Sequence, residues 1–317
     1  MEQQDILSMT LPELQAAVQE LSEPKFRAKQ IFNWLHQKRV TDFSEMTTLS
    51  LPFRERLASD FCINRLKIAK RLASSVDDTV KYLYELPDGN YVETVCMQYH
   101  HGTSLCISTQ VGCRMGCRFC ASAIAGFVRN LTPAEMLLQI YETERAQNCK
   151  ISSLVLMGIG EPLDNFDNVL RFLQLLSDPN GYGMSLRHVT VSTCGVVPKI
   201  LELAEQRLGL TLSVSLHCPN DAGRSAIMPI NRSYPIDVLL DACQTYFEKT
   251  GRRVTFEYAV MDQVNSAEQD AAALAERLKG LHAHVNLIPI NPVKERNFHT
   301  LKKTVLQFQK TLERYGI

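Results

Sequence analysis

Three thiols stand close together in Gly112-Cys113-Arg114-Met115-Gly116-Cys117-Arg118-Phe119-Cys120. Three cysteines can hold three irons of a 4Fe-4S cluster and leave the fourth iron open to a chelating ligand. Zinc is the rival, but a structural zinc site wants four ligands, usually from a second Cys-x-x-Cys or His pair, and the sequence offers no such pair. A thioredoxin-like redox pair would use Cys117 and Cys120 and leave Cys113 without a purpose. The chain has ten cysteines. Met1-Glu-Gln-Gln-Asp5 carries neither the basic nor the apolar stretch of a secretory leader, and no apolar run approaches the length of a membrane span. The expected compartment is the cytosol, where thiols serve metal or redox chemistry and not a disulfide framework.

The thiols need a scaffold, and the sequence around them alternates strand and helix. Strand seeds stand at 105–108, 154–157, 189–192, 212–215, 254–258 and 285–288, each short and apolar or β-branched. Between them lie helices: Thr132-Pro-Ala-Glu135 is a capping box, and Val169, Phe172, Leu173 and Leu176 share one helical face. Such alternation implies an α/β fold with a parallel sheet, and six βα units fit a partial (β/α)6 TIM-like barrel better than a complete eightfold one. The cysteine loop follows the first core strand and Gly158-Ile159-Gly160-Glu161 the second. Ser192 ends the third, Ser215-Leu216-His217 the fourth, and Asn291 follows the sixth. All lie at strand C-termini, the rim on which parallel βα architectures build their sites.

Upstream, residues 1–64 read as a helical accessory domain, with a cap at Thr10-Leu-Pro-Glu13 and apolar Phe26, Ile31, Phe32 and Leu35 on the second helix. Residues 65–98 read as a β-hairpin extension, with strands over 79–86 and 91–95 about the turn Pro87-Asp-Gly-Asn90. Residues 99–317 form the core domain. With 45% hydrophobic residues over 317 positions the chain supports a large core and is not disordered. Its 34 basic residues balance 34 acidic ones, so any polyanion must be met by a local patch. Lys25, Arg27, Lys29, Lys38 and Arg39, with no acidic residue among them, are such a patch or simply a solvated face.

The cysteine spacing, with aromatic Phe119 before the last thiol, resembles the radical SAM superfamily signature. Cys106-Ile-Ser-Thr-Gln-Val-Gly-Cys113, Met157-Gly-Ile-Gly-Glu-Pro-Leu163 with Asn165, Val191-Ser-Thr-Cys-Gly-Val-Val-Pro198, Ser215-Leu-His-Cys-Pro-Asn-Asp221 and Asn286-Leu-Ile-Pro-Ile-Asn-Pro292 narrow the resemblance to the RlmN/Cfr family of RNA methyltransferases. It runs through nearly the whole chain, including Val92-Glu-Thr-Val95. The resemblance implies one 4Fe-4S cluster on Cys113, Cys117 and Cys120. It also implies S-adenosylmethionine held by Gly160, Glu161, Ser192, Ser215, Leu216, His217 and Asn291. By the same resemblance the Cys106 thiol removes a proton and resolves a covalent enzyme–RNA intermediate, and Glu93 is an acid/base group beside it. The reaction implied is methylation of adenosine carbon 2 in 23S ribosomal RNA and transfer RNA, in the cytoplasm, by a monomer served by an electron donor such as flavodoxin. A Cfr-like reaction at carbon 8 and a noncatalytic RNA-binding relative are the alternatives.

Each of these residues also has a plainer role. Gly158 to Glu161 can be an ordinary strand-to-helix turn, and it lacks the third glycine of a dinucleotide fingerprint. His217 can be a satisfied structural histidine, Ser192 a strand-end cap, Cys106 a small buried hydrophobe and Glu93 a residue flanking a hairpin. Cys243 shares a helical face with Leu239, Ala242 and Tyr246 and belongs to the core. Cys62, Cys96, Cys149, Cys194 and Cys218 have no assigned chemistry. The family carries its methyl-accepting cysteine beyond the final helix, whereas no cysteine follows Cys243 here. The expectation is a 317-residue chain, cut before that segment, that assembles the cluster and binds S-adenosylmethionine without transferring methyl to RNA.

Overall fold

The computed structural model describes residues 3–317; Met1 and Glu2, part of the leader reading, lie outside the described residues. The chain divides into two compact units. One gathers the residues up to 111 with 130–158 and 165–188, and the other 112–129, 159–164 and 189–317.

The first unit begins with helices. β1 (Gln4–Asp5) pairs in parallel with β2 (Phe61–Cys62), and between them run α1 (Leu11–Glu20), α2 (Phe26–His36) and α3 (Leu51–Asp60). The expected cap is present at α1: Thr10 N–H donates to Glu13 Oε2 at 2.8 Å, and Thr10 Oγ1 receives the Glu13 N–H. α2 buries Ala28, Ile31, Phe32 and Leu35 and leaves Lys29 exposed, with Lys25 and Lys38 exposed at its two ends. Arg39 is not part of an open patch. It is paired with Glu144 and lies over the rings of Tyr141 and Tyr182.

The unit continues with β3 (Lys67–Ala73), β4 (Val80–Glu85), β5 (Tyr91–Tyr99) and β6 (Gly102–Cys106), each antiparallel to the one before. β7 (Gln110–Gly112) and β8 (Phe127–Asn130) flank the cysteine loop. α4 (Pro133–Gln147) leads to β9 (Ile151–Leu156), which pairs in parallel with β6, and α5 (Phe166–Ser177) follows. One face of β4 and β5, carrying Tyr82, Tyr84, Val92, Thr94 and Cys96, is buried. Tyr84 Oη to Thr143 Oγ1 and Thr94 Oγ1 to Gln139 Oε1, both 2.8 Å, tie that face to α4. The hairpin expected from sequence is therefore three-stranded at its outer side and continuous with β6. β3 is missing from the sequence reading because all seven of its residues are exposed, so no apolar alternation marks it.

The second unit holds four parallel strands in the order β10 (Val189–Thr193), β11 (Thr211–Ser215), β12 (Val254–Val260) and β13 (Ala283–Pro289). Its helices are α6 (Val197–Glu205), α7 (Asp221–Ile227), α8 (Ile236–Thr250), α9 (Glu268–Leu278) and α10 (Lys302–Arg314). Counted along the chain, β6, β9, β10, β11, β12 and β13 each lead into helix, the six βα units of a partial barrel. α8 buries Cys243 with Leu239, Ala242 and Tyr246, as its spacing requires. Among the described residues no helix is long and apolar enough to cross a membrane.

Candidate cluster and cofactor site

In the second unit the cysteine loop is held by its own backbone. Gly112 has φ +71°, and a side chain there would meet Gly126 O at 1.8 Å, so only glycine lets these two segments touch. Cys113 N–H donates to Gly126 O at 3.0 Å, and Arg118 N–H to Ile227 O at 2.9 Å. Cys113, Cys117 and Cys120 are all partly buried and unbridged. Burial pushes Cys113 up to about 11 and Cys117 up to about 12. The neighbouring thiols and Glu161 add to both shifts, while Arg224 pulls Cys117 the other way. The three thiols thus lie within electrostatic reach of one another, and their ionised forms need a cation to balance them. A cluster supplies that charge, and its ligands surround it without converging on one point. Three thiols on one loop match the three irons that a 4Fe-4S cluster fixes, whereas a structural zinc site wants four ligands.

The strand-end residues frame the loop. Gly160 sits at φ +108°, a conformation that leaves the position to glycine. Glu161, buried, accepts Leu163 N–H at 3.0 Å through Oε1 and Cys194 N–H at 2.8 Å through Oε2. Burial raises its carboxyl above the ordinary range, and these backbone donors oppose the rise. Ser192 and Ser215 are half-buried, Leu216 and His217 buried and Asn291 exposed. His217 has φ +57°, its Nδ1 accepts Ala259 N–H at 2.9 Å, and its carbonyl accepts Asn265 Nδ2 at 2.6 Å. Phe119 meets its ring edge-on at 4.9 Å. Burial, then Arg224, lowers His217 to about 3, so the ring is neutral with its proton on Nε2. The plain structural role is thereby filled by Nδ1.

Arg224 is the residue that sequence reasoning missed. It is fully buried on α7, where Nη2 donates to Ser215 O at 3.1 Å and Cys194 O at 2.6 Å, Nε to Leu216 O at 3.2 Å and Nη1 to Asn231 Oδ1 at 2.9 Å. One guanidinium therefore fixes the ends of β10 and β11, which carry Ser192, Ser215, Leu216 and His217. On the neighbouring strands Glu257 accepts from Ser213 Oγ at 2.6 Å and from Asn286 Nδ2 at 2.8 Å, and register sets it beside Ser215. Nothing in the local sequence marks either residue, because each is defined by its distant partners.

In the first unit Glu93 and Cys106 share one sheet face. Val95 is opposite Cys106 and Lys81, and Leu83 is opposite Glu93, so Lys81, Glu93 and Cys106 point the same way from β4, β5 and β6. Lys81 Nζ lies 2.7 Å from Glu93 Oε2, both side chains 42% exposed. Burial pushes the Cys106 thiol up to about 11, and the Glu93 charge pushes in the same direction. Glu93 is thus an interior strand residue, not merely one flanking the hairpin.

The sequence family described as the radical SAM superfamily matches residues 107–275, and the ribosomal RNA large subunit methyltransferase N-terminal domain matches 4–63. A probable dual-specificity RNA methyltransferase RlmN of Lachnoclostridium phytofermentans is 50% identical over 99% of this chain and 88% of its own length. The chain belongs to the RlmN family of radical SAM methyltransferases. The family likeness extends to the RlmN of Clostridium novyi, 47% identical over 99% of this chain and 92% of that one. It is structural as well: the crystal structure of a radical SAM methyltransferase from Sphaerobacter thermophilus matches with a TM-score of 0.95 at 38% identity, covering 99% of this chain and 93% of that one. Members of this superfamily use a 4Fe-4S cluster and S-adenosylmethionine, the two cofactors of this chain.

Proposed function

We propose that this protein serves the methylation of carbon 2 of adenosine in RNA, with 23S ribosomal RNA and transfer RNA as substrates; residues 1–317 supply the cluster, cofactor and proton-handling groups, and none of their cysteines is assigned as the methyl acceptor. The observation that carries the reading is the thiol loop Cys113, Cys117 and Cys120 packed against Glu161 and the ends of β10 and β11 within one unit. Cys113, Cys117 and Cys120 hold three irons. Gly160, Glu161, Ser192, Ser215, Leu216, His217 and Asn291 bind S-adenosylmethionine, offering carboxylate, hydroxyl, backbone and amide groups to its amino acid, ribose and adenine. When bound, the cluster supplies the electron that cleaves S-adenosylmethionine, which suits an aromatic carbon too weakly nucleophilic for polar transfer. Glu93 and Cys106 handle the proton: Cys106 is the thiol, and Glu93 the carboxylate that governs its ionisation. Residues 1–64 form an RNA-contacting accessory domain, and Lys25, Lys29 and Lys38 its phosphate contacts. The protein works in the cytosol as a monomer with a flavodoxin-type electron donor, a reducing setting in which thiols serve metal and redox chemistry.

Mass spectrometry of ribosomal and transfer RNA from cells with and without the gene tests the reading. Loss of 2-methyladenosine on deletion is the expected result. Loss of 8-methyladenosine instead, or no change in either, would overturn it.

A further inference from the structure

β3 is the outer strand of its sheet, and its position gives it a use. From Phe61 to Val76 the chain has four basic residues, Arg65, Lys67, Lys70 and Arg71, and no acidic one. Every residue of β3 is exposed, and so are Ile68 and Leu72 at 45% and 49%.

Register then relates this strand to the reacting face. Leu72 is opposite Lys81, Lys81 opposite Val95 and Val95 opposite Cys106; Lys70 is opposite Leu83 and Leu83 opposite Glu93; Lys67 is opposite Glu85 and Glu85 opposite Tyr91. Directly opposed residues point to the same side of a sheet, so Lys67, Lys70 and Leu72 share one face with Glu93 and Cys106. The opposite face of β4 and β5 is the buried one. Charges on the open face are unevenly spread. Glu93 is taken by Lys81 and Glu85 stands opposite Lys67, so the surplus positive charge lies along the β3 edge, where Lys70 on the open face and Arg71, exposed on the other side opposite Tyr82, have no acidic residue opposite them. Two exposed groups stand on the same face: Leu72, at the β3 end of the row that leads to Cys106, and Tyr91, on β5 in the row of Lys67.

We propose that β3 is the rail along which the backbone of the RNA substrate lies, its phosphates against Lys67 and Lys70 on the open face and Arg71 round the same edge, while bases cross the face beside Leu72 and Tyr91 toward Cys106. The inference rests on the RNA-modifying reading above and adds a surface to it. An edge strand can also pair with a strand of another protein, but lysines and a register shift between Ile68 and Lys70 are the features that discourage such pairing. Those same lysines suit a polyanion, and an exposed tyrosine suits a base.

The test measures the affinity of the purified protein for a transfer RNA over a range of salt concentrations, for the parent and for Lys67→Ala/Lys70→Ala/Arg71→Ala. The altered side chains are exposed, so the variant should melt as the parent does. Losing three phosphate contacts should lower the slope of log affinity against log salt by roughly 2. An unchanged slope in the variant, with a parent that binds, would overturn the rail and leave the edge to pairing with another chain. A parent that fails to bind RNA at all would instead remove the RNA reading on which the rail depends.

Discussion

A thiol surrounded by protein and set beside a carboxylate holds its proton, and Cys106 is in that position with Glu93 as neighbour. Replacing Glu93 by Gln removes a like charge, so the Cys106 titration should move downward from about 11; Lys81→Met removes the cation that compensates Glu93 and should move it upward, with Lys81→Arg restoring it. Peptide-resolved alkylation rates against pH measure both shifts, and equal rates in the parent, Glu93→Gln and Lys81→Met proteins would detach Lys81 and Glu93 from the thiol. The cluster cysteines act by a different principle, since each removes one iron ligand. Cys117→Ala should lose cluster iron and the production of deoxyadenosine, because two thiolates cannot retain the same three irons. Normal iron content in that variant would refute the ligand assignment.

At the scale of elements, the site depends on groups that fix strand ends without meeting a ligand. Arg224 on α7 makes four hydrogen bonds, three of them to the backbone at the ends of β10 and β11. Arg224→Met leaves buried carbonyls unpaired and should destabilise the protein by about 3 kcal/mol or more. Its weaker retention of S-adenosylmethionine, read by equilibrium dialysis, separates misplacement of the rim from loss of a direct contact; a variant with parental melting and parental affinity would show that the clamp is dispensable. α2 offers a second case. Lys25, Lys29 and Lys38 are solvent-facing while Arg39 is engaged by Glu144, so neutralising the three lysines should flatten the salt dependence of RNA binding by roughly 2 in slope without altering iron content. An unchanged slope would make them an ordinary solvated surface.

For the whole molecule, pH acts through groups whose protons differ between folded and unfolded chains. Burial lowers His36 to about 4 and His217 to about 3. Between the ordinary histidine value and those lowered ones the unfolded chain binds protons that the folded chain refuses, so stability present at neutral pH is lost as pH falls. Each histidine contributes roughly 2 kcal/mol of that loss from pH 7 to 5. Asp5 acts oppositely: burial raises it to about 6, so its protonated form favours the fold as pH falls through that value, offsetting part of the loss. Urea unfolding at pH 7 and pH 5 should therefore show lower stability in acid, and His36→Gln should reduce the difference. Equal stability at both pH values would mean that the buried rings are not held neutral.

The cysteine loop, the capping boxes at Thr10 and Thr132, and the alternation of strand and helix were legible in the sequence because each is written in residues a few positions apart. The placement of Gly160, Ser192, Ser215, His217 and Asn291 at strand ends follows from the same short-range pattern. Tertiary structure alone decided what lies across from what. Lys81 reaches Glu93 through the pairing of β4 with β5, Arg224 meets Cys194 across thirty residues, and Arg39 leaves the basic patch for Glu144. Such partners are set by strand register and by the need to satisfy buried charge, and neither leaves a local signal. β3 is the limiting case: with both faces exposed it has no burial period to read, and only its hydrogen bonds to β4 make it a strand.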